Sequence, residues 1–220
     1  MIRAFVFDFD GLIVDTESAL VAAYADIHAR HGRPFDRELF LRSVGHADYD
    51  FDPWHAFEKR ADRAVLETER QKRNRELNNG LPILPGVVKL LQDAQAAGLR
   101  LGVASNSGHP HVEGHLGRLG LARYFEFFAC REDAPSPKPA PDLYQLVLAR
   151  FGLQGPQAVA FEDSHTGVTA AKRAGLWAVA VPNVSTAHHD FSAADLRVAS
   201  LAEVTVAGLL AQFGGSDAGR

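Results

Sequence analysis

The sequence predicts an α/β protein: a doubly wound parallel sheet, Rossmann-like at its core, carrying an inserted all-helical cap domain. Two observations predict the sheet and a third predicts the insert. Short apolar runs rich in Val and Phe recur without strict alternation, as in strands buried on both faces. Between them lie stretches with apolar residues at helical spacing, and this alternation argues parallel strand–helix–strand units. Residues 17–80 break the rhythm, with helical stripes and no strand signal. The expected organisation is an α/β catalytic core of residues 1–16 and 81–220 around a helical cap of residues 17–80.

Strands are expected at residues 4–7, 99–104, 125–129, 158–161 and 177–181. Core helices are expected at residues 87–97, 112–119, 141–151 and 166–174. Pro85-Gly86 opens the first of these helices, and Gly98, Gly120, Gly152 and Gly175 stand where helices should stop. In the cap, Leu20, Tyr24 and Ile27 form a helical stripe that Gly32-Arg33-Pro34 ends. Leu39, Phe40 and Val44 make a short second helix, and residues 54–77 read as one or two more, charged as a solvated face would be. Residues 214–220 read as a disordered tail.

At 220 residues the chain is about one and a half times a typical ~150-residue domain, which suits one large domain with an insert. Its 46% hydrophobic and 23% charged residues are ordinary for a globular protein. Lys and Arg number 23 against 27 Asp and Glu, and a net charge of −4 gives no global pull toward nucleic acid or anionic membrane. Cys130 is the single cysteine, which excludes intrachain disulfides and Cys-based zinc clusters. No stretch approaches the ~20 apolar residues of a membrane span, and the N-terminal apolar run is too short for a signal peptide. The expected location is cytoplasmic.

The strongest chemical signal is Phe7-Asp8-Phe9-Asp10-Gly11, directly after the first strand. Ligands of parallel α/β sheets bind beyond the carboxyl ends of the strands. Two carboxylates there, with a glycine to turn the chain, suit a hard cation. One of them could attack an electrophile while its neighbour moves a proton; the plain alternative is a solvated Asp-Gly turn. Three further strand ends add Ser105-Asn106-Ser107, Pro137-Lys138-Pro139 and Glu162-Asp163-Ser164. Carboxylates, a hydroxyl and one ammonium on a single edge match a phosphate bound with a divalent cation.

These four segments, in this order and spacing, resemble the haloacid dehalogenase-like hydrolase superfamily. The similarity is strongest to its phosphatase branch with a small helical cap, which includes phosphoglycolate phosphatases and β-phosphoglucomutase. FDFDGLIVDTE and AFEDSHTGVTAAKRAG carry most of it. The resemblance implies a Mg2+-dependent phosphatase acting on a small phosphorylated metabolite, with Asp8 as the nucleophile that becomes an aspartyl-phosphate. It implies that Asp10 protonates the leaving alkoxide, activates water, and offers its backbone carbonyl to the metal. Ser105, with Asn106 nearby, would bind the phosphoryl group, and Lys138 would neutralise it and orient Asp8. Asp8, Glu162 and Asp163 would hold Mg2+ directly or through water, and Thr16 would be a hinge to the cap. No nucleic acid, membrane or second subunit is called for, and a monomer is expected.

Other candidates are weaker. His109, His111 and His115 suggest a transition-metal site, but the family places this helix behind the phosphate-binding serine, where packing or surface roles prevail. His188-His189 reads as an exposed loop pair, and His165 as helix-start packing. Cys130 reads as a small buried hydrophobe, and Trp54 and Trp177 as packing residues, with pocket lining an alternative for Trp54. A phosphomutase is the competing activity, but residues 45–50 lack the Ser-Arg pair that grips a second phosphate in β-phosphoglucomutase-like proteins. His46, Asp48 and Tyr49 there suit the hydroxyls or ring of an uncharged leaving group. A dehalogenase would leave Asp10 and the Glu162-Asp163 pair without work. A non-catalytic binding protein would be expected to have lost a carboxylate, and none is missing.

Overall fold

The computed structural model describes residues 1–43, 51–60 and 62–215. Its centre is a six-stranded sheet of β1 (Ala4–Phe7), β2 (Arg100–Ala104), β3 (Phe127–Ala129), β4 (Ala158–Glu162), β5 (Trp177–Ala180) and β6 (Leu196–Arg197). The order is β3-β2-β1-β4-β5-β6, and every neighbouring pair is parallel. Phe7 lies opposite Val103 on one side and Phe161 on the other. The order reverses direction at β1, so the chain leaves β1 at the switch point where such sheets open a crevice. The expected doubly wound sheet is what forms. β6 went unforeseen because two residues flanked by Asp195 and Val198 carry no apolar run.

Among the described residues, the α-helices α1 (Thr16–Arg30), α2 (Arg37–Ser43) and α3 (Arg63–Asn79) lie between β1 and β2 in the chain. The core helices are α4 (Val87–Ala96), α5 (His109–Arg118), α6 (Asp142–Phe151), α7 (His165–Arg173) and α8 (Val206–Gly214). The two-residue period of a strand sends alternate side chains of β1 to opposite faces. Phe5 and Phe7 join the core under α4, α5 and α8, while Ala4 and Val6 join the core under α6 and α7. On the first face the rings of Phe7 and Phe161 stack at 4.8 Å. On the second, alanines of β1, β4 and β5 leave room for α6 and α7 to settle on the sheet.

Helices α1 and α3 share a separate apolar cluster of Ile27, Trp54, Phe57 and Leu66 against Tyr24. Trp54 is therefore a packing residue, stacked on the buried His28. Trp177 likewise stacks on Phe213. Cys130 is buried, as expected of a small hydrophobe. His189 departs from expectation: it is 6% exposed, packed against Phe191, and only His188 of that pair faces solvent. Gly214 also departs, ending α8 in place of opening a tail, while residues 216–220 lie outside the described ones. No described helix is long and apolar enough to cross a membrane.

Leu91 of α4 is fully buried in the larger core, whereas the Lys89–Asp93 pair on the opposite side of the helix is exposed. Leu91→Ala is expected to cost about 2–5 kcal/mol through lost burial and a residual cavity. Lys89→Ala is expected to cost less than about 1 kcal/mol. Urea unfolding of both variants beside the unmodified protein checks the contrast.

Candidate active site

The carboxyl ends of β1, β2 and β4 converge with the loop before α6. Asp8 follows β1 directly, and its backbone N–H still donates to Phe161 O at 3.0 Å, as if the strand ran on. Lys138 reaches the same place, and its ammonium donates to Asp8 Oδ1 (2.6 Å), Glu162 Oε1 (2.6 Å) and Ala104 O (2.7 Å). A lysine ammonium has three protons, so each one is used. Tyr144 of α6 donates to the same Glu162 oxygen at 2.5 Å. Burial pulls the Lys138 ammonium down, but the charges of Asp8 and Glu162 outweigh it and hold the group above its ordinary value.

Asn106 faces the backbone of Lys138. Its Oδ1 accepts from Lys138 N at 2.8 Å and its Nδ2 donates to Lys138 O at 3.3 Å, a two-point clamp on the lysine's main chain. Ser105 is buried, and its Oγ accepts from Ser107 N at 3.0 Å.

Asp10 sits in a different environment. Its Oδ1 accepts from Thr16 Oγ1 at 2.6 Å and meets His111 Nε2 at 2.8 Å, and its Oδ2 accepts from Ser107 Oγ at 2.6 Å. Burial raises the Asp10 carboxyl, but these three partners outweigh it and leave it below its ordinary value. Thr16, expected as a hinge, is thus also a direct partner of Asp10. His111, expected behind the site, is in it. The helix starts at His109, three residues earlier than its apolar pattern suggests, with Pro110 in the first turn. Proline favours that position; the sequence places His111 on this helix, and what it leaves unread is that the first turn faces Asp10.

Asp163 is tied from the other side. Asn183, in the loop after β5, donates to Asp163 Oδ2 (2.8 Å), Gly11 O (3.1 Å) and Glu17 Oε2 (3.4 Å). Gly11 has φ +77°, and a Cβ there would collide with the Asp163 carboxylate and the Asn183 amide, so the turn after Asp10 requires glycine twice over. Asn183 carried no motif that singled it out in the sequence, and Glu17 closes the motif FDFDGLIVDTE without having been read as a partner of Asn183. Residues 46, 48 and 49, expected to touch the leaving group, lie outside the described residues.

Asp8, Glu162 and Asp163 are all buried and offer oxygens within 4.8 Å of one another. Burial pushes the carboxyls of Asp8 and Asp163 well above their ordinary values, with neighbouring acids adding to the effect and Lys138 opposing it. Burial likewise raises Glu17 to about 7, against the hydrogen bond from Asn183. Ionised together, these acids would carry more negative charge than Lys138 balances. Hard oxygen donors with surplus negative charge fit Mg2+. His109, Cys130 and Asp133 also approach one another, but each is otherwise engaged. Asp133 accepts from Cys130 N at 2.8 Å, His109 bridges Glu113 and Asp133, and burial pushes the Cys130 thiol up to about 12. A thiol that stays protonated is a poor metal ligand.

Residues 2–175 match the haloacid dehalogenase-like hydrolases, and the chain belongs to that family of enzymes. It is 36% identical over 214 residues to YhcW of Bacillus subtilis (strain 168), covering 96% of this chain and 97% of that one. It is 30% identical over 219 residues to hexitol phosphatase B of Escherichia coli (strain K12), covering 95% and 97% respectively. Among solved structures, CbbY from Rhodobacter sphaeroides in complex with phosphate superposes with a TM-score of 0.76 at 30% identity, covering 95% of this chain and 99% of that one.

The raised carboxyls make a pH prediction for the metal-free protein. A group whose pKa is higher in the folded state keeps its proton there after the unfolded chain has lost it, so stability falls as pH rises through that window. For Glu17 the window runs from the ordinary carboxylate value to about 7, and for Asp8 and Asp163 it begins at the same place. In chelator, the melting temperature is expected to be lower at about pH 7.5 than at about pH 5. Thermal melts followed by circular dichroism check the sign.

Proposed function

We propose that this chain is a Mg2+-dependent phosphatase that hydrolyses a small phosphomonoester, a sugar or polyol phosphate, through a phosphorylated Asp8. The observation that carries the reading is the meeting of Asp8, Lys138, Glu162 and Asp163 at the carboxyl edge of the sheet. The similarity to a relative named hexitol phosphatase B supports the substrate class. Residues 17–80 would then form the cap over the site, with Thr16 at the hinge.

In the proposed reaction a carboxylate oxygen of Asp8 attacks phosphorus, the bond from phosphorus to the leaving oxygen breaks, and the Asp10 carboxyl gives that oxygen its proton. Water then attacks the phosphorus of the aspartyl-phosphate and gives a proton to the Asp10 carboxylate, releasing phosphate and restoring both residues. Lys138 would hold Asp8 in line and balance charge on the transferring group, and the Ser105 hydroxyl would bind an equatorial oxygen. Asn106 would serve this binding chiefly by fixing Lys138. Asp8, the Asp10 carbonyl, Asp163 and Glu162 would hold Mg2+, which supplies charge neutralisation at the phosphoryl oxygens. A phosphomutase would run the same first step and return the phosphoryl group to the sugar. Residues 45–50 lack the Ser-Arg pair that grips a second phosphate in β-phosphoglucomutase-like proteins, and that lack favours hydrolysis.

A panel of phosphorylated metabolites assayed with and without Mg2+ tests the reading. Asp8→Asn is expected to abolish turnover and the acid-stable, base-labile phosphoenzyme while the protein stays folded. Substantial residual activity would remove Asp8 from the role. With β-glucose 1-phosphate and a trace of the 1,6-bisphosphate, no appreciable glucose 6-phosphate is expected, and its catalytic appearance would establish the mutase instead.

Binding of Mg2+ is measurable without turnover. Titrating Mg2+ into chelator-treated protein at neutral pH is expected to raise the melting temperature, because a cation relieves repulsion among buried carboxylates. Asp163→Asn should shrink that rise, and an equal rise in the variant would place the ion elsewhere.

A further inference from the structure

Asp10 is held from three separate elements. Thr16 begins α1, Ser107 follows β2, and His111 belongs to the first turn of α5. Two of the three partners are hydroxyls, which donate or accept as the opposite group requires. The third is an imidazole, and with its proton on Nε2 it can only donate to Asp10 Oδ1, at 2.8 Å. Its ring is itself fixed. The Phe9 ring, fully buried between the two aspartates in sequence, meets it edge-to-face at 5.5 Å, and the His115 ring lies at 4.8 Å.

We propose that His111 is a positioning residue for Asp10, holding its carboxyl group in one orientation and reserving Oδ2 as the oxygen that gives and takes the proton. The proposal rests on the phosphatase reading, in which Asp10 is the proton donor to the leaving group. No proton need be stored on His111, because the one Asp10 gives to the leaving oxygen in the first half of the reaction returns to it from water in the second. The imidazole acts by geometry. A donor into Oδ1 keeps the mobile proton off that oxygen, whereas Ser107 Oγ, opposite Oδ2, can turn from donor to acceptor when Oδ2 is protonated. Without His111 the carboxyl group would be held by hydroxyls alone, free to exchange roles between its two oxygens.

The test separates positioning from folding and from substrate contact. The unmodified protein, His111→Leu and His111→Gln are assayed with Mg2+ on p-nitrophenyl phosphate and on the sugar phosphate that the unmodified protein turns over fastest. An aryl leaving group scarcely needs protonation, while an alkoxide does. His111→Leu is expected to lower kcat on the sugar phosphate by about ten- to hundred-fold, the range of a lost hydrogen bond to a charged group. The loss on p-nitrophenyl phosphate is expected to be less than about three-fold, with KM little changed on either substrate. His111→Gln, whose amide reaches the Nε2 position, should recover most of the loss. Should His111→Leu fail to fold, His111→Asn, one bond too short to reach Asp10, takes its place. Equal losses on both substrates, a rise in KM alone, or no loss at all would each overturn the proposal. If the unmodified protein hydrolyses neither substrate, the phosphatase reading fails, and the proposal with it, before any variant is compared.

Discussion

The carboxyl edge of this sheet depends on a single buried ammonium. Lys138 stands between Asp8 and Glu162 with its side chain 3% exposed, and its third proton goes to the carbonyl at the end of β2. A buried ion pair is tolerable only when every lone pair and proton is satisfied, and here the satisfaction comes from three adjacent strands at once. Without Lys138, two buried carboxylates would face each other across β1 and β4. The ammonium therefore sets where the strand ends may lie, as well as balancing charge. Asn106 makes this possible by gripping the main chain of Lys138 at both its N–H and its C=O, so the lysine's long stem starts from a fixed point.

From that fixed point the two aspartates of the first loop are driven apart chemically. Asp8 ends a strand whose pairing continues through its own N–H, and it is buried among acids that raise it. Asp10, two residues on, has turned out of the strand into three hydrogen-bonding partners that lower it. Phe9 between them is fully buried and anchors the segment, so neither carboxylate can slide into the other's place. Two like groups whose environments push them in opposite directions are how one fold assigns different tasks to the same chemistry. Here Asp8 stands beside the Lys138 ammonium and Asp10 among three hydrogen-bonding partners, so two carboxyl groups two residues apart meet different surroundings.

How much of this was legible in the sequence follows from the range of the interactions. The five longer strands show as apolar runs because burial on both faces leaves no other composition open to them, and the four acidic, hydroxyl and lysine segments show because each follows such a run. β6 does not show, since two residues of edge strand need no apolar pattern. Among the site residues, Asp8, Lys138, Glu162 and Asp163 stand in short dense motifs, and the fold brings them together. His111, Asn183, Tyr144 and Glu17 were not singled out as partners of that site, for a common reason. Each is a lone polar residue whose partner lies far along the chain: Asn183 meets Gly11, and His111 meets Asp10. The family resemblance even argues against His111, because it places this helix behind the phosphate-binding serine.

The glycines complete the physical argument. Gly11 lies against Asp163, and Gly167 in α7 lies against the Glu162 carboxylate, each so closely that a Cβ would collide with the acid. Both acids are therefore packed against backbone on one side, with Asn183 donating to Asp163 and Lys138 and Tyr144 to Glu162 on the other. Ser164 caps α7 by accepting from Gly167 N at 3.1 Å, which keeps that first turn in place beside Glu162. Backbone of this kind stabilises buried negative charge but cannot neutralise it, and Lys138 offsets only part of the remainder. Ionising these acids in the folded chain would thus leave negative charge that its own residues do not balance, at some cost in stability. A phosphate dianion would meet repulsion there unless a cation arrived first. On the proposed reading, Mg2+ held by these acids would supply the positive charge that lets a phosphate settle beside Asp8.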